Sequence, residues 1–164
     1  EAYPAQLKRK LADDGHYFNV VNAGVSGETS SGALSRIEWV ISTLKPDIII
    51  LETGANDGLR GIDPGVLRKN LERIVSIIKA NNIKVLLCGM KILPNMGPEY
   101  SKAFMRVYPE IAQKYAIPLI PFFLEGVGGD PRYNQPDRLH PTAKGYRRIV
   151  DHIYPYVLDV IKGS

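Results

Sequence analysis

Near the C-terminal end, Asp137-Arg138-Leu139-His140 holds the pattern in this sequence best suited to chemistry. An Asp three residues before a His, in a loop, lets the carboxylate turn back onto the imidazole and hold one tautomer. The other ring nitrogen is then free as a general base. The plain alternative is a solvated loop histidine ahead of a helix started by Pro141. Two further loops supply donors. Asn56, in Gly54-Ala55-Asn56-Asp57-Gly58, presents a side-chain amide, and Gly27, in Ala23-Gly24-Val25-Ser26-Gly27-Glu28-Thr29-Ser30, presents a backbone N–H with no side chain in the way. Such donors suit a developing oxyanion, where groups fixed before reaction are worth several kcal/mol. Taken separately, Asn56-Asp57-Gly58 also reads as an ordinary turn, and Gly27 as the turn that leads into a helix. Ser26 is flanked by glycines, but Glu28 stands where a Gly-x-Ser-x-Gly elbow needs its last glycine, so Ser26 is not read as a nucleophile.

The elements that must position these residues centre on Asp47 to Gly61. Ile48 to Leu51 is a short, β-branched run expected to be a strand buried on both faces. It delivers the chain to the small and polar residues Gly54 to Gly58. Upstream, Pro4 to Asp14 reads as an amphipathic helix, Tyr17 to Asn22 as a strand, and Ser30 or Thr29 as the cap of a helix that Lys45-Pro46 stops. Downstream, Leu67, Leu71, Ile74, Val75 and Ile78 form one face of a helix over 64–80, followed by a buried strand over 83–88. A glycine- and proline-rich loop precedes a helix over 100–115, with a kink expected at Pro109. A strand over 117–121, a long irregular stretch over 122–141 and a final helix over 142–161 complete the chain, with a second kink expected at Pro155. An irregular stretch of that length in a compact domain is usually functional. The alternation of strand and helix predicts a parallel sheet covered on both faces, a three-layer α/β/α sandwich. Its carboxyl edge is where the three loops converge.

Composition narrows the classes. The chain has 164 residues, 45% of them hydrophobic, with 21 Lys and Arg against 17 Asp and Glu for a net charge of +4. That predicts one soluble domain over 1–164 with no integral membrane segment. Its longest basic block is Lys8-Arg9-Lys10, which gives no nucleic-acid stripe. Cys88 lies in an apolar run and is read as a buried, inert thiol, so no disulfide framework exists. His16 and His152 have no clustered carboxylates or thiols, so no metal site is read there. Neither a metal nor an organic cofactor is implied.

Three blocks taken together, Val-Ser-Gly-Glu-Thr-Ser over 25–30, Gly-Ala-Asn-Asp over 54–57 and Asp-Arg-Leu-His over 137–140, resemble the SGNH, or Gly-Asp-Ser-Leu, hydrolase superfamily. The resemblance runs from Glu1 to the last helix. It is closest to the bacterial subgroup of acyl-CoA thioesterases, arylesterases and lysophospholipases, through residues 22–30, 54–61 and Ile117-Pro118-Leu119-Ile120-Pro121-Phe122-Phe123. It implies a flavodoxin-like sheet of order 2-1-3-4-5 and a serine hydrolase acting on small ester, thioester or lipid substrates. By resemblance His140 is the general base, Asp137 its orienting carboxylate, and Gly27 and Asn56 oxyanion donors beside the N–H of the serine. Leu59 and the apolar residues of the loop from Ile92 to Pro98 border the acyl site. Periplasmic or secreted location is likewise a family expectation.

One departure matters. The family's first block, Gly-Asp-Ser, occurs nowhere in the sequence, and the strand it ends would lie between Tyr17–Asn22 and Asp47–Leu51. The chain opens Glu1-Ala2-Tyr3-Pro4, without initiator methionine or signal pattern. The expectation is therefore an N-terminally incomplete domain, lacking about 20 to 30 residues that hold a strand of ordinary length and its loop. A separate or swapped complementing segment and an inactive relative are the alternatives. Rival readings are a carbohydrate O-deacetylase, a non-catalytic binding module, and a flavodoxin-like cofactor binder. Against the last, no glycine-rich phosphate loop follows any strand.

Overall fold

The computed structural model describes residues 1–163, the side chain of Pro94 aside. The single-domain expectation extends to Ser164, which lies outside the described residues. In chain order the elements are α1 (Tyr3–Asp13), α2 (Ser30–Leu44), β1 (Ile48–Leu51), α3 (Ala55–Leu59), α4 (Pro64–Ala80), β2 (Lys84–Cys88), α5 (Pro98–Tyr115), β3 (Leu119–Ile120) and α6 (Ala143–Lys162). The chain divides into two compact units, one of residues 25–122 and one of residues 1–24 with 123–162. Among the described residues no helix is long and apolar enough to cross a membrane.

The larger unit is an open α/β fold. Its sheet is parallel in the order β1-β2-β3, with Ile48 opposite Lys84, Leu51 opposite Leu87, and Leu87 opposite Leu119. Parallel neighbours need crossovers, and α4 and α5 supply them. The first forms because Pro64 presets the opening turn, the Asp63 carboxylate accepts the Gly65 N–H at 2.7 Å, and Leu67, Leu71, Ile74, Val75 and Ile78 share a fully buried face. In α5 the buried set is Phe104, Val107, Tyr108 and Ile111, and the helix continues through Pro109. Cys88 closes β2 in full burial, which pushes its thiol pKa well up.

Gly54, between β1 and α3, has φ +104°, a left-handed conformation that favours glycine. A Cβ there would lie 2.2 Å from the Tyr108 hydroxyl, which donates to the Thr53 carbonyl at 2.8 Å. The backbone that presents Asn56 is thus held against the core of α5.

The smaller unit joins α1 to α6. Gln6 Nε2 donates to the Ala143 carbonyl at 3.1 Å, the Tyr154 hydroxyl donates to Asp14 Oδ2 at 2.6 Å, and Tyr3 meets Phe123 edge-on with ring centroids 5.1 Å apart. Leu7, Leu11, Ile149, Val150 and Ile153 are among its buried apolar residues.

Four expectations are corrected. Tyr17–Asn22 is irregular, with Tyr17 84% exposed. A strand is held by a neighbour's backbone groups, and none of the described strands pairs with it. Ile48, Ile49 and Ile50 of β1 are only half-buried, and among the described strands β1 has a bonded neighbour on one side alone, β2. Residues 55–59, expected as a turn, form the short helix α3, and the strand expected over 117–121 shrinks to two residues.

Candidate active site

Asp137 and His140 meet in the smaller unit. Asp137 Oδ1 accepts the backbone N–H groups of Leu139 and His140 at 2.9 and 3.1 Å, which folds the loop back on the carboxylate. Arg138 makes that reversal with φ +59°. Asp137 Oδ2 then lies 2.6 Å from His140 Nδ1. The bond from the imidazole, followed by the two backbone donors, lowers the Asp137 pKa to about 2. An ionised carboxylate only accepts, so Nδ1 presents its proton to Asp137, and in the neutral imidazole the lone pair is then on Nε2. The imidazole is largely exposed.

The loop is anchored at its base. Asn134 is buried and donates to the carbonyls of Val127 and Asp130 at 2.6 and 2.8 Å. Asn134 and Pro141 form an antiparallel bridge, with the Gln135 N–H on the His140 carbonyl at 2.8 Å. Thr142 starts α6 by accepting the Gly145 N–H at 3.2 Å.

Gly27 and Asn56 meet in the larger unit. Gly27 has φ +76°, and Asn56 Nδ2 donates to the carbonyl of its neighbour Glu28 at 3.1 Å. Only one of the two amide protons of Asn56 is taken by that bond. Glu28 is itself held by Arg36, with Nε–Oε1 at 2.6 Å. Leu59 ends α3 with 56% exposure, and Leu93 and Met96 in the following loop are 64% and 40% exposed. Residues 58–61 lie against that loop: a Cβ at Gly58 would be 2.4 Å from Ile92 Cγ2, and one at Gly61 would be 2.8 Å from Met96 Cε. The side chain of Pro94, in the same loop, lies outside the described residues.

The sequence singled out Asp137 with His140 and Gly27 with Asn56, and each pair is adjacent within its own unit. It missed Asp57, Asn70 and Arg60, which hold the loop of Gly27. It also expected Ser30 or Thr29 to cap α2. Thr29 makes no side-chain cap, and the Ser30 N–H is taken instead by Asp57 Oδ1 at 2.7 Å. Nothing in local spacing relates residues 57 and 70 to residue 30, so no signal for this was available before the fold.

The GDSL-like lipase/acylhydrolase family matches this sequence over residues 1–148. The chain belongs to that family. Esterase TesA of Pseudomonas aeruginosa is 41% identical over 155 residues, covering 94% of this chain and 77% of that protein. Thioesterase 1/protease 1/lysophospholipase L1 of Escherichia coli strain K12 is 36% identical over 150 residues, covering 92% and 71%. Among solved structures, the psychrotrophic esterase EstA from Pseudoalteromonas sp., inhibited by monoethylphosphonate, superposes with a TM-score of 0.93 at 32% identity, covering 99% of this chain and 88% of that one. The parallel sheet and the order of its loops are thus those of a GDSL-like acylhydrolase.

Proposed function

We propose that this GDSL-like family member is a serine esterase of carboxylic esters or thioesters with short-to-medium acyl chains, working through an acyl-enzyme. The observation that carries the reading is the 2.6 Å contact of ionised Asp137 with His140 Nδ1, which leaves Nε2 basic. His140 takes the proton of the attacking serine and returns it to the departing alkoxide or thiolate. In the second half-reaction it takes a proton from water and returns it to the serine. Asp137 holds the tautomer and stabilises the imidazolium. Gly27 N–H and the second proton of Asn56 donate to the oxyanion, and Leu59 borders the acyl chain. Residues 1–164 belong to one hydrolase domain, and the attacking serine, that of the Gly-Asp-Ser block, is not among the residues of this sequence. The site residues use neither metal nor organic cofactor. Periplasmic or secreted location belongs to the same proposal, and cell fractionation tests it.

The alternative is a binding module that keeps the fold without the reaction. Hydrolysis of p-nitrophenyl acetate, butyrate and octanoate by the protein made from its complete gene, together with labelling by a fluorophosphonate, separates the two. The esterase reading expects one labelled serine, a gain with acyl length, and a loss of about 10³-fold or more in kcat on His140→Ala. A folded protein with neither hydrolysis nor labelling is the binding module.

A further inference from the structure

We propose that Asp57 is the positioning residue of the oxyanion loop. Its carboxylate sets where Gly27 and Asn56 present their donors, an inference that rests on the esterase reading above. Asp57 is 1% exposed, and burying a carboxylate is costly unless it is well bonded. Its partners are backbone and hydroxyl. Oδ1 accepts the Ser30 N–H at 2.7 Å and Oδ2 accepts the Ser30 hydroxyl at 2.6 Å. Ser30 is itself fully buried, and its Oγ accepts from Asn70 Nδ2 at 2.9 Å, which ties the arrangement to α4.

The bonds follow the chain on both sides. Asn56 bonds the Glu28 carbonyl, Asp57 bonds Ser30, and Arg60 Nη2 bonds the Gly27 carbonyl at 2.8 Å. One short helix and its cap therefore grip residues 27, 28 and 30 together. Of the three grips, only that of Asp57 has both of its partners buried. Gly27 lies in a left-handed conformation beside the clamp, so the direction of its N–H depends on how the loop is held at both ends. Asn56 is adjacent to Asp57, and a shift of the carboxylate moves the amide as well. Displacements of about 1 Å at such a site cost about 100-fold in rate.

The test combines a kinetic and a nuclear magnetic resonance measurement on the protein from its complete gene, with Asp57→Asn and Ser30→Ala. The Asn variant keeps the shape but turns an acceptor into a donor facing the hydroxyl. Ser30→Ala removes one of the two bonds and serves if Asp57→Asn does not fold. Expected for Asp57→Asn are a kcat on p-nitrophenyl butyrate lower by about 10- to 100-fold with KM within about twofold. Ser30→Ala shows a smaller loss in the same direction. In both, amide exchange rises at residues 27–30 and the Asn56 side-chain amide signals shift, while β2 and α4 stay protected. Unchanged exchange at 27–30, or a kcat within about twofold of wild type in a folded Asp57→Asn, overturns the proposal. Exchange that rises throughout the unit also overturns it, because Asp57 is then merely structural. A wild-type protein without hydrolysis overturns the esterase reading instead, and the exchange measurement still decides whether Asp57 holds the loop.

Discussion

Replacing Gly54 by alanine places a methyl group where the structure has no room for one. The residue sits at φ +104°, and the added Cβ would lie 2.2 Å from the Tyr108 hydroxyl and 2.9 Å from Leu67 Cδ1. A left-handed conformation costs an L-residue about 1 to 2 kcal/mol. Overpacking against Leu67, itself fully buried, adds about 1 to 3 kcal/mol. Moving the Tyr108 hydroxyl breaks its 2.8 Å bond to the Thr53 carbonyl and leaves that buried acceptor unpaired, for about 1 to 3 kcal/mol more. The expected destabilisation is about 3 to 8 kcal/mol, a large share of the roughly 5 to 15 kcal/mol that holds a domain of about this size together. Urea unfolding followed by far-ultraviolet circular dichroism measures it. Tyr108→Phe alone should cost about 1 to 2 kcal/mol, because it removes the donor without a clash. In the double variant the hydroxyl is no longer in the way, so the loss should fall short of the sum of the singles by about 2 kcal/mol. Gly54→Ala within about 1 kcal/mol of wild type, or strictly additive singles, would refute the account.

Asn56→Ala removes one donor from the proposed oxyanion site and should lower kcat by about 100- to 1,000-fold with KM little changed, measured on p-nitrophenyl butyrate. The Asp137 carboxyl should titrate at about 2 in a carbon-detected magnetic resonance titration, and return toward the ordinary carboxylate range in His140→Ala. Because its pKa is depressed in the folded state, its contribution to stability is present above the unfolded value and is lost as pH falls through about 2. Tyr154 has the opposite sign. Desolvation, then the bond to Asp14, pushes its phenol up to about 12, so its contribution holds below the unfolded value and is lost as pH rises through about 12. Absorbance of the tyrosinate should show that late titration, and Asp14→Asn should bring it earlier. Asn134→Ala strips donors from two carbonyls under the His140 loop and should cost about 2 to 4 kcal/mol in thermal unfolding.

Much of this protein follows from local rules. The apolar face of α4, the stop at Lys45-Pro46, the pairing of Asp137 with His140 across three residues, and the burial of Cys88 each depend on neighbours within a turn or two of chain. Period, caps and short-range hydrogen bonds therefore suffice to read them. The same rules marked Asn56 as a side-chain amide and Gly27 as a turn glycine, and the structure gives Gly27 a positive φ and makes Asn56 a donor to the Glu28 carbonyl.

What failed was non-local. Tyr17–Asn22 has a strand's composition, but a strand exists only where another backbone completes its ladder, and composition cannot say whether one does. The same holds for Ile48 to Ile50, whose burial depends on how many neighbours β1 has. Residues 55–59 have turn chemistry, yet burial of Asp57 and Gly58 draws them into a helix. Sequence by itself determined the succession of parallel strands and crossover helices and the chemical types in each loop, because these are set by periodicity and residue class. Only the tertiary structure decided that Asp57 grips Ser30 and that Arg60 reaches Gly27 from 33 positions away. Contacts across such separations are set by chain crossing, which no window of sequence contains.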